Sequence, residues 1–258
     1  MEIIGRGFLA RSLGPVAHRH RGTVAVAAGV SWASQTSAGD FARERTLVRE
    51  TARRCRAGGS RLLFFSTAAT ALYGNLDGPA REDGPVRPLN PYGAHKLALE
   101  EWLRASGTRH LTLRLGHLVG PGQPPHQLVP SLVAQVRQGA VSIHRGAARD
   151  LLHVEDAVTL LDHLVARAPD GATVNVASGH AAPVTGIVDH LARRLGVEPR
   201  RTYADAGAGA AAPPVSTARL RALVPEAAEL GFGPGYHRLV LDRYLGAAGV
   251  PPDPVPCR

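Results

Sequence analysis

A chain of 258 residues, 44% hydrophobic and 20% charged, is long enough to bury a substantial core and has the balance of a globular protein. Its net charge of +9 comes from arginines that stand singly or in pairs, and only 5% of residues are aromatic, so a nucleic-acid surface of basic runs and stacking rings is not expected. No apolar run reaches the roughly 18 residues of a membrane span, and two cysteines, Cys55 and Cys257, make neither a disulfide framework nor a metal motif.

In chain order, Glu2 to Ile4 read as a strand that runs into GRGFLARSLGPVA, a glycine turn opening a short helix. Thr23 to Ala28 (TVAVAA) is a second strand ending at Gly29. Residues 40–57 read as a helix with Asp40 as its cap and Phe41, Leu47 and Val48 on its apolar face. Arg61 to Phe65 is a buried strand leading into STAATALYG, and a loop rich in Gly and Pro follows. NPYGAHKLALEEWL then starts a helix, with Asn90 as cap and Pro91 at its first position. Leu111 to Leu115 and Thr173 to Val176 are strands; 127–138, 155–166, 182–195 and Tyr236 to Ala247 are helices. Residues 204–214 form a loop of low complexity, and PPDPVPCR is a tail. Strands alternating with helices predict a parallel sheet covered on both faces, with ligands at the carboxyl ends of the strands.

Three motifs carry chemistry. In IIGRGFLA, Gly5, Gly7 and Ala10 fit the turn that brings backbone close to a dinucleotide pyrophosphate. No acidic residue lies between Glu2 and Asp40 to hold an adenine ribose, and Arg6, Arg11, Arg19 and Arg21 are candidates for a 2′-phosphate instead. In the second motif, Tyr92 and Lys96 are four apart on a helix and share a face. Lys96 is the only lysine among 30 basic residues. A cation at that spacing favours phenolate, so Lys96 is expected to lower the Tyr92 pKa towards the working range of an acid/base catalyst. Third, Thr67 ends a buried strand where a hydroxyl polarises a substrate carbonyl, while Ser66 and Thr70 suit turn capping.

Together these segments resemble the extended short-chain dehydrogenases/reductases of the NAD-dependent epimerase/dehydratase type, over most of residues 1–200. The family's Tyr-x-x-x-Lys matches PYGAHK, and its strand-end hydroxyl followed by a Tyr-Gly pair matches STAATALYG. RLGHLVGPGQ resembles its Arg-x-x-Asn-x-Tyr-Gly-Pro-Gly segment, with His117 at the substrate-contacting Asn position. RDLLHVEDAV supplies Arg149, at a position that often meets a sugar-nucleotide phosphate; an ion pair with Asp150 or Asp156 is the plainer alternative. His153 is expected to pack or cap, and Asn175 and Gly179 to serve structure. One departure is large: the strand TVAVAA begins only 13 residues after Ala10, where the family has two further strands and its ribose acid.

The resemblance therefore implies an α/β Rossmann-like parallel sheet with helices on both faces, narrowed on the adenine side, in a single domain spanning 1–258. Residues 1–120 and 151–176 would form its core, and 121–150 and 177–250 a small C-terminal substrate lobe. It implies an NAD(P)-dependent oxidoreductase or epimerase acting on a nucleotide sugar or other hydroxylated metabolite. Thr67, Tyr92 and Lys96 would be catalytic. Gly5, Gly7, Phe8, Leu9, Ala10, Ala28 and Gly29 would join Tyr92 and Lys96 in holding NADP or NAD, the arginines favouring NADP. Ser66, His117 and Arg149 would face substrate. The narrowed adenine side leaves a second reading open, a cyclase, dehydratase or isomerase that uses no cofactor and reuses Tyr92, with a binding or scaffold protein as a third. No metal, membrane or nucleic acid is expected. The absence of a leader and the few cysteines imply a reducing, cytoplasmic setting. A homodimer is expected through helices 40–57 and 91–105, with Phe41, Leu47, Val48, Leu99 and Leu103 as the apolar contact.

Overall fold

The strands of the sheet are short runs of Val, Leu, Ile and Phe, and they pair in parallel because helices carry the chain back between them. The computed structural model of the chain describes residues 1–30, 36–205 and 213–251. Most of the loop 204–214, the tail with Cys257, and Ser31 lie outside the described residues.

The elements run β1 (Glu2–Ile4), α1 (Phe8–Leu13), a 3-10 turn (Gly14–Arg19), β2 (Thr23–Val26), α2 (Ala38–Ala57), β3 (Arg61–Thr67), α3 (Thr70–Tyr73), α4 (Pro91–Ala105) and β4 (His110–Leu115). Next come β5 (His117–Val119), α5 (Leu128–Arg137), β6 (Ala140–His144), β7 (Ala148–Arg149), β8 (Leu151–His153), α6 (Val154–Arg167) and β9 (Ala172–Val176). The chain continues through β10 (Ala182–Pro183), α7 (Val184–Leu195), β11 (Arg200–Ala204), α8 (Ala218–Leu223), a 3-10 turn (Pro225–Leu230) and α9 (Tyr236–Ala247).

The main sheet has the order β1-β2-β3-β4-β9, all parallel. Among the described residues β1 pairs on one side only, with β2, at Glu2↔Val24 through Ile4↔Val26. The narrowing expected from the short spacing between the glycine turn and TVAVAA is thus present. Side chains alternate between faces. Val24, Val26, Leu62 and Phe64 meet Val48, Ala52 and Cys55 of α2 and Leu99 and Leu103 of α4. Ala25, Leu63, Leu111 and Leu113 point the other way, to Leu13 of α1 and Leu160, Leu161 and Leu164 of α6. Val48, Leu99 and Leu103 are therefore core between helix and sheet, Leu47 packs against them, and Phe41 stacks on His95 with ring centroids 4.7 Å apart. The five residues expected to pair two chains are engaged within one.

The cap of α2 also differs from expectation. Ser37 is the N-cap, accepting from Asp40 N at 3.2 Å, while the Asp40 carboxylate reaches back to Ser37 N at 2.8 Å. The reciprocal capping box puts the helix start two residues earlier. Three two-stranded pairings are not expected from the sequence: β5 with β8, β6 with β11, and β7 with β10. β6 and β11 run parallel beside α5 and α7, and α9 closes on β8. There Tyr236 donates to Asp156 at 2.5 Å and accepts from His153 N at 3.2 Å.

A buried polar network ties β3, α3, α4, β4 and β9 together. Arg114, 2% exposed, donates to Glu100, 1% exposed, at 2.6 Å, and to the Tyr73 hydroxyl at 2.8 Å. Ser66 donates to Glu100 at 2.5 Å and Tyr73 to Asn175 at 2.6 Å. Asn175 in turn donates to the Ala80 and Ser216 carbonyls, each at 3.1 Å. The structural role expected of Asn175 holds. Removing one member of a buried pair leaves the other charge uncompensated. Glu100→Gln is expected to lower the unfolding free energy by about 3–5 kcal/mol in a urea titration; a loss below about 1 kcal/mol would contradict this account of the core.

Candidate active site

The carboxyl end of β3 meets the amino end of α4, and one glycine governs how closely. Asn90 caps α4 by accepting from Gly93 N at 2.9 Å, with Pro91 at the first position, as the sequence predicts. A Cβ on Gly93 would lie 1.8 Å from the Ala71 carbonyl of α3. Any side chain there would push α4 away from β3. On the first turn of α4, Tyr92 comes close enough to Thr67 of β3 for that hydroxyl to act on its phenol.

Lys96 follows one turn later. It is 3% exposed, and its Nζ lies 5.7 Å from the Tyr92 ring centroid. Nζ donates to Glu44 Oε1 at 2.6 Å and to the Phe65 carbonyl at 3.2 Å. Glu44, on α2 and also 3% exposed, accepts in addition from His95 Nε2 at 3.0 Å and Val30 N at 3.1 Å. Burial alone would raise the Glu44 pKa; the hydrogen bond from His95 and the Lys96 cation outweigh it and hold the carboxyl below its usual range. Tyr92 goes the other way. Burial is the largest cause and raises its pKa; Lys96 pulls it down, Glu44 pushes it up, Thr67 steadies the phenolate, and the net shift is upward. Lys96 lowers the Tyr92 pKa, as the sequence predicts, but burial and the Glu44 counter-charge exceed it, so the net shift is not towards the working range and Tyr92 is a phenol at neutral pH.

Glu44 was missed by sequence reasoning. Its signal was an acidic residue on the buried stripe of α2 shared by Val48, Thr51, Ala52 and Cys55. Strand β2 ends beside it, and a Cβ on Gly29 would stand 2.3 Å from Glu44 Oε1. Ala28 and Gly29 are exposed there. At the glycine turn Gly5 has φ +136°, and a Cβ on it would lie 2.5 Å from the Ala27 carbonyl. Gly5 thus serves the close packing of β1 on β2. Gly7 is exposed, and a Cβ on it would meet nothing within 4 Å. Phe8 and Ala10 are core and Leu9 is partly buried. Gly7, after β1, and Ala28 and Gly29, after β2, are thus exposed at the carboxyl edge of the sheet.

The arginines divide. Arg11 donates to the Arg6 carbonyl at 2.9 Å and the Gly122 carbonyl at 3.0 Å, and Arg6 is exposed on the turn. Arg19 instead pairs with Asp162 at 2.6 Å. Arg21 lines a cavity of about 490 Å³ with Met1, Glu2 and Thr23, at the amino ends of the strands. That is the wrong edge for a 2′-phosphate at the site.

The expected substrate residues also separate. The Ser66 hydroxyl is taken by Glu100. Arg149 acts on His117: burial first, then the Arg149 cation, bring the His117 pKa down to about 4, so its imidazole is neutral at neutral pH. Arg149 forms neither ion pair offered by the sequence. Asp150 accepts from Ser178 and Gly179, and Asp156 from Tyr236 and Arg243. Arg149 donates to the Ala148 carbonyl at 2.8 Å, and burial lowers its pKa. His153 caps α6, as expected, its Nδ1 accepting from Glu155 N at 3.3 Å. Among the described residues no group of three or more His, Cys, Asp or Glu could hold a metal, and no helix is long and apolar enough to cross a membrane.

A five-stranded parallel sheet between helices, with Thr67 at a strand end and Tyr92 and Lys96 on the next helix, defines a Rossmann-like protein of the short-chain dehydrogenase/reductase class. Residues 17–177 match the NAD dependent epimerase/dehydratase family, and the chain belongs to that family. The match starts beyond the glycine turn, a narrower span than the motifs suggested. Protein YeeZ of Escherichia coli (strain K12) is 31% identical over 153 residues, 58% of this chain and 52% of that protein. A UDP-glucose 4-epimerase of Streptomyces lividans is 32% identical over 164 residues, 54% of this chain and 49% of that enzyme. The chain thus spans about half the length of these curated relatives. Among solved structures, MoeE5 in complex with UDP-glucuronic acid and NAD superposes with a TM-score of 0.74 at 27% identity, over 95% of this chain and 85% of that one.

Replacing Gly93 with Ala sets a methyl against the Ala71 carbonyl. Gly93→Ala is expected to cost about 1–3 kcal/mol of stability by thermal unfolding, as overpacking does; unchanged stability would show that α4 does not depend on this contact.

Proposed function

We propose that this protein is an NAD(P)-dependent epimerase, dehydratase or reductase that acts on a nucleotide sugar. The observation that carries the reading is the Tyr92 ring 5.7 Å from the Lys96 ammonium, with Thr67 acting on its phenol and exposed backbone at Ala28 and Gly29 on the same edge. Family membership and the likeness to MoeE5, solved with a nucleotide sugar and NAD, support it.

A bound nicotinamide ring would supply or take the hydride, and the chain's residues would do the rest. Gly7, Ala28 and Gly29 would border the cofactor, and Lys96 would hold its ribose. Tyr92, a phenol at neutral pH, would give its proton to the substrate oxygen as a carbonyl is reduced; in the reverse direction its phenolate, with the proton already lost to water, would take the proton of the hydroxyl that is oxidised. Thr67 would orient that oxygen. Arg149, with no carboxylate partner among the described residues, would meet the diphosphate of the substrate, and neutral His117 would hydrogen-bond its sugar. Residues 121–150 and 177–250 would form the lobe around it.

Tyr92→Phe keeps the ring and removes the acid. With folding checked by circular dichroism, turnover of uridine diphosphate sugars in the presence of NAD(H) or NADP(H) is expected to fall by about 10²-fold or more. Turnover at the wild-type rate would overturn the assignment.

A further inference from the structure

We propose that Glu44 is the positioning residue of this site, anchoring the Lys96 ammonium on the Phe65 carbonyl and opposing its charge beside the Tyr92 phenol. The proposal rests on the reading of Tyr92 as the site's acid. It assigns a role to α2, an element that carries no part of the Tyr-x-x-x-Lys motif.

The geometry is built for the carboxylate. Glu44 sits on an otherwise apolar and small buried stripe with Val48, Thr51, Ala52 and Cys55. A carboxylate there is tolerated only when paired and hydrogen-bonded. It has three donors from two segments: Lys96 at 2.6 Å and His95 at 3.0 Å from α4, and Val30 N at 3.1 Å from the chain after β2. Gly29 leaves the space its Oε1 fills. His95 is itself held by Phe41 from α2. A flexible lysine has four carbons of freedom. Fixed by Glu44 and Phe65, its ammonium can take up only one place relative to Tyr92.

The charge matters as much as the position. The charged groups acting on the Tyr92 phenol are Lys96 from its own helix and Glu44 from α2; Thr67 from β3 adds a hydrogen bond. Lys96 favours phenolate and Glu44 favours phenol. With both present the cation holds position while the proton stays on Tyr92. A phenol is the form that can donate to a carbonyl oxygen.

The test reads Tyr92 in the protein alone, with neither cofactor nor substrate. Phenolate absorbance is followed against pH in the wild type and in Glu44→Gln, each after subtraction of the same protein carrying Tyr92→Phe. The amide of Gln keeps an acceptor for Lys96 and removes the charge. Tyr92 is expected to ionise at lower pH in Glu44→Gln; an unchanged or higher midpoint would overturn the proposal. If Glu44→Gln does not fold, the wild type answers through its single lysine. Labelling with nitrogen-15 lysine gives one ammonium signal, expected to be protected from exchange with water at neutral pH. A freely exchanging ammonium would overturn the anchoring. Either result can stand while Tyr92→Phe still abolishes turnover, so the failure of this proposal and of the proposed function can be told apart.

Discussion

One ammonium group constrains three elements of this protein. Lys96 is buried on α4, and a buried charge is tolerated only where partners replace its water. Its partners come from α2, through Glu44, and from near the carboxyl end of strand β3, through the Phe65 carbonyl. If α2 slid by a residue, Glu44 would leave the pocket beside Gly29; if α4 moved out, Tyr92 would leave Thr67. The apolar contacts of Val48, Leu99 and Leu103 hold these elements together in general. The ion pair sets their register at the carboxyl edge, where the proposed site lies.

Below that point lies a second buried cation, with a different task. Arg114 and Glu100 satisfy each other, and Tyr73, Ser66 and Asn175 complete the network. Its hydroxyls and carboxylate are all occupied internally, so it braces the floor of the site. Lys96 and Glu44 stand beside exposed backbone at Gly29. The two pairs show why burial of charge alone does not identify an active site. What distinguishes the upper pair is the adjoining phenol at the open end of the sheet.

Much of this was legible in the sequence because it depends on local rules. The cap at Asn90 and Pro91, the spacing of Tyr92 and Lys96, the strand ending at Thr67 and the helix Tyr236–Ala247 follow from propensity and periodicity. The short spacing before TVAVAA placed β1 at the end of the sheet among the described residues. What stayed hidden depends on contacts between distant segments. Glu44 lies 52 residues from Lys96, and no local pattern joins them. The sign of the Tyr92 shift was hidden for the same reason: Lys96 alone predicts a fall, while burial first and Glu44 after it raise the pKa. Ser66 and Arg149 show the same limit: the first is claimed by Glu100 from another element, and the second passes over both nearby acids. The apolar residues of helices α2 and α4 were readable as apolar, but whether they face a sheet or a second chain is decided by the tertiary fold.

The account's central claim is that the carboxyl edge around Lys96 and Tyr92 receives a nicotinamide cofactor. Titrating NADH and NADPH separately into the purified protein, and following thermal unfolding, tests this most directly. The account predicts a saturable rise in Tm with at least one of them at micromolar concentration. No rise with either at millimolar concentration would contradict it.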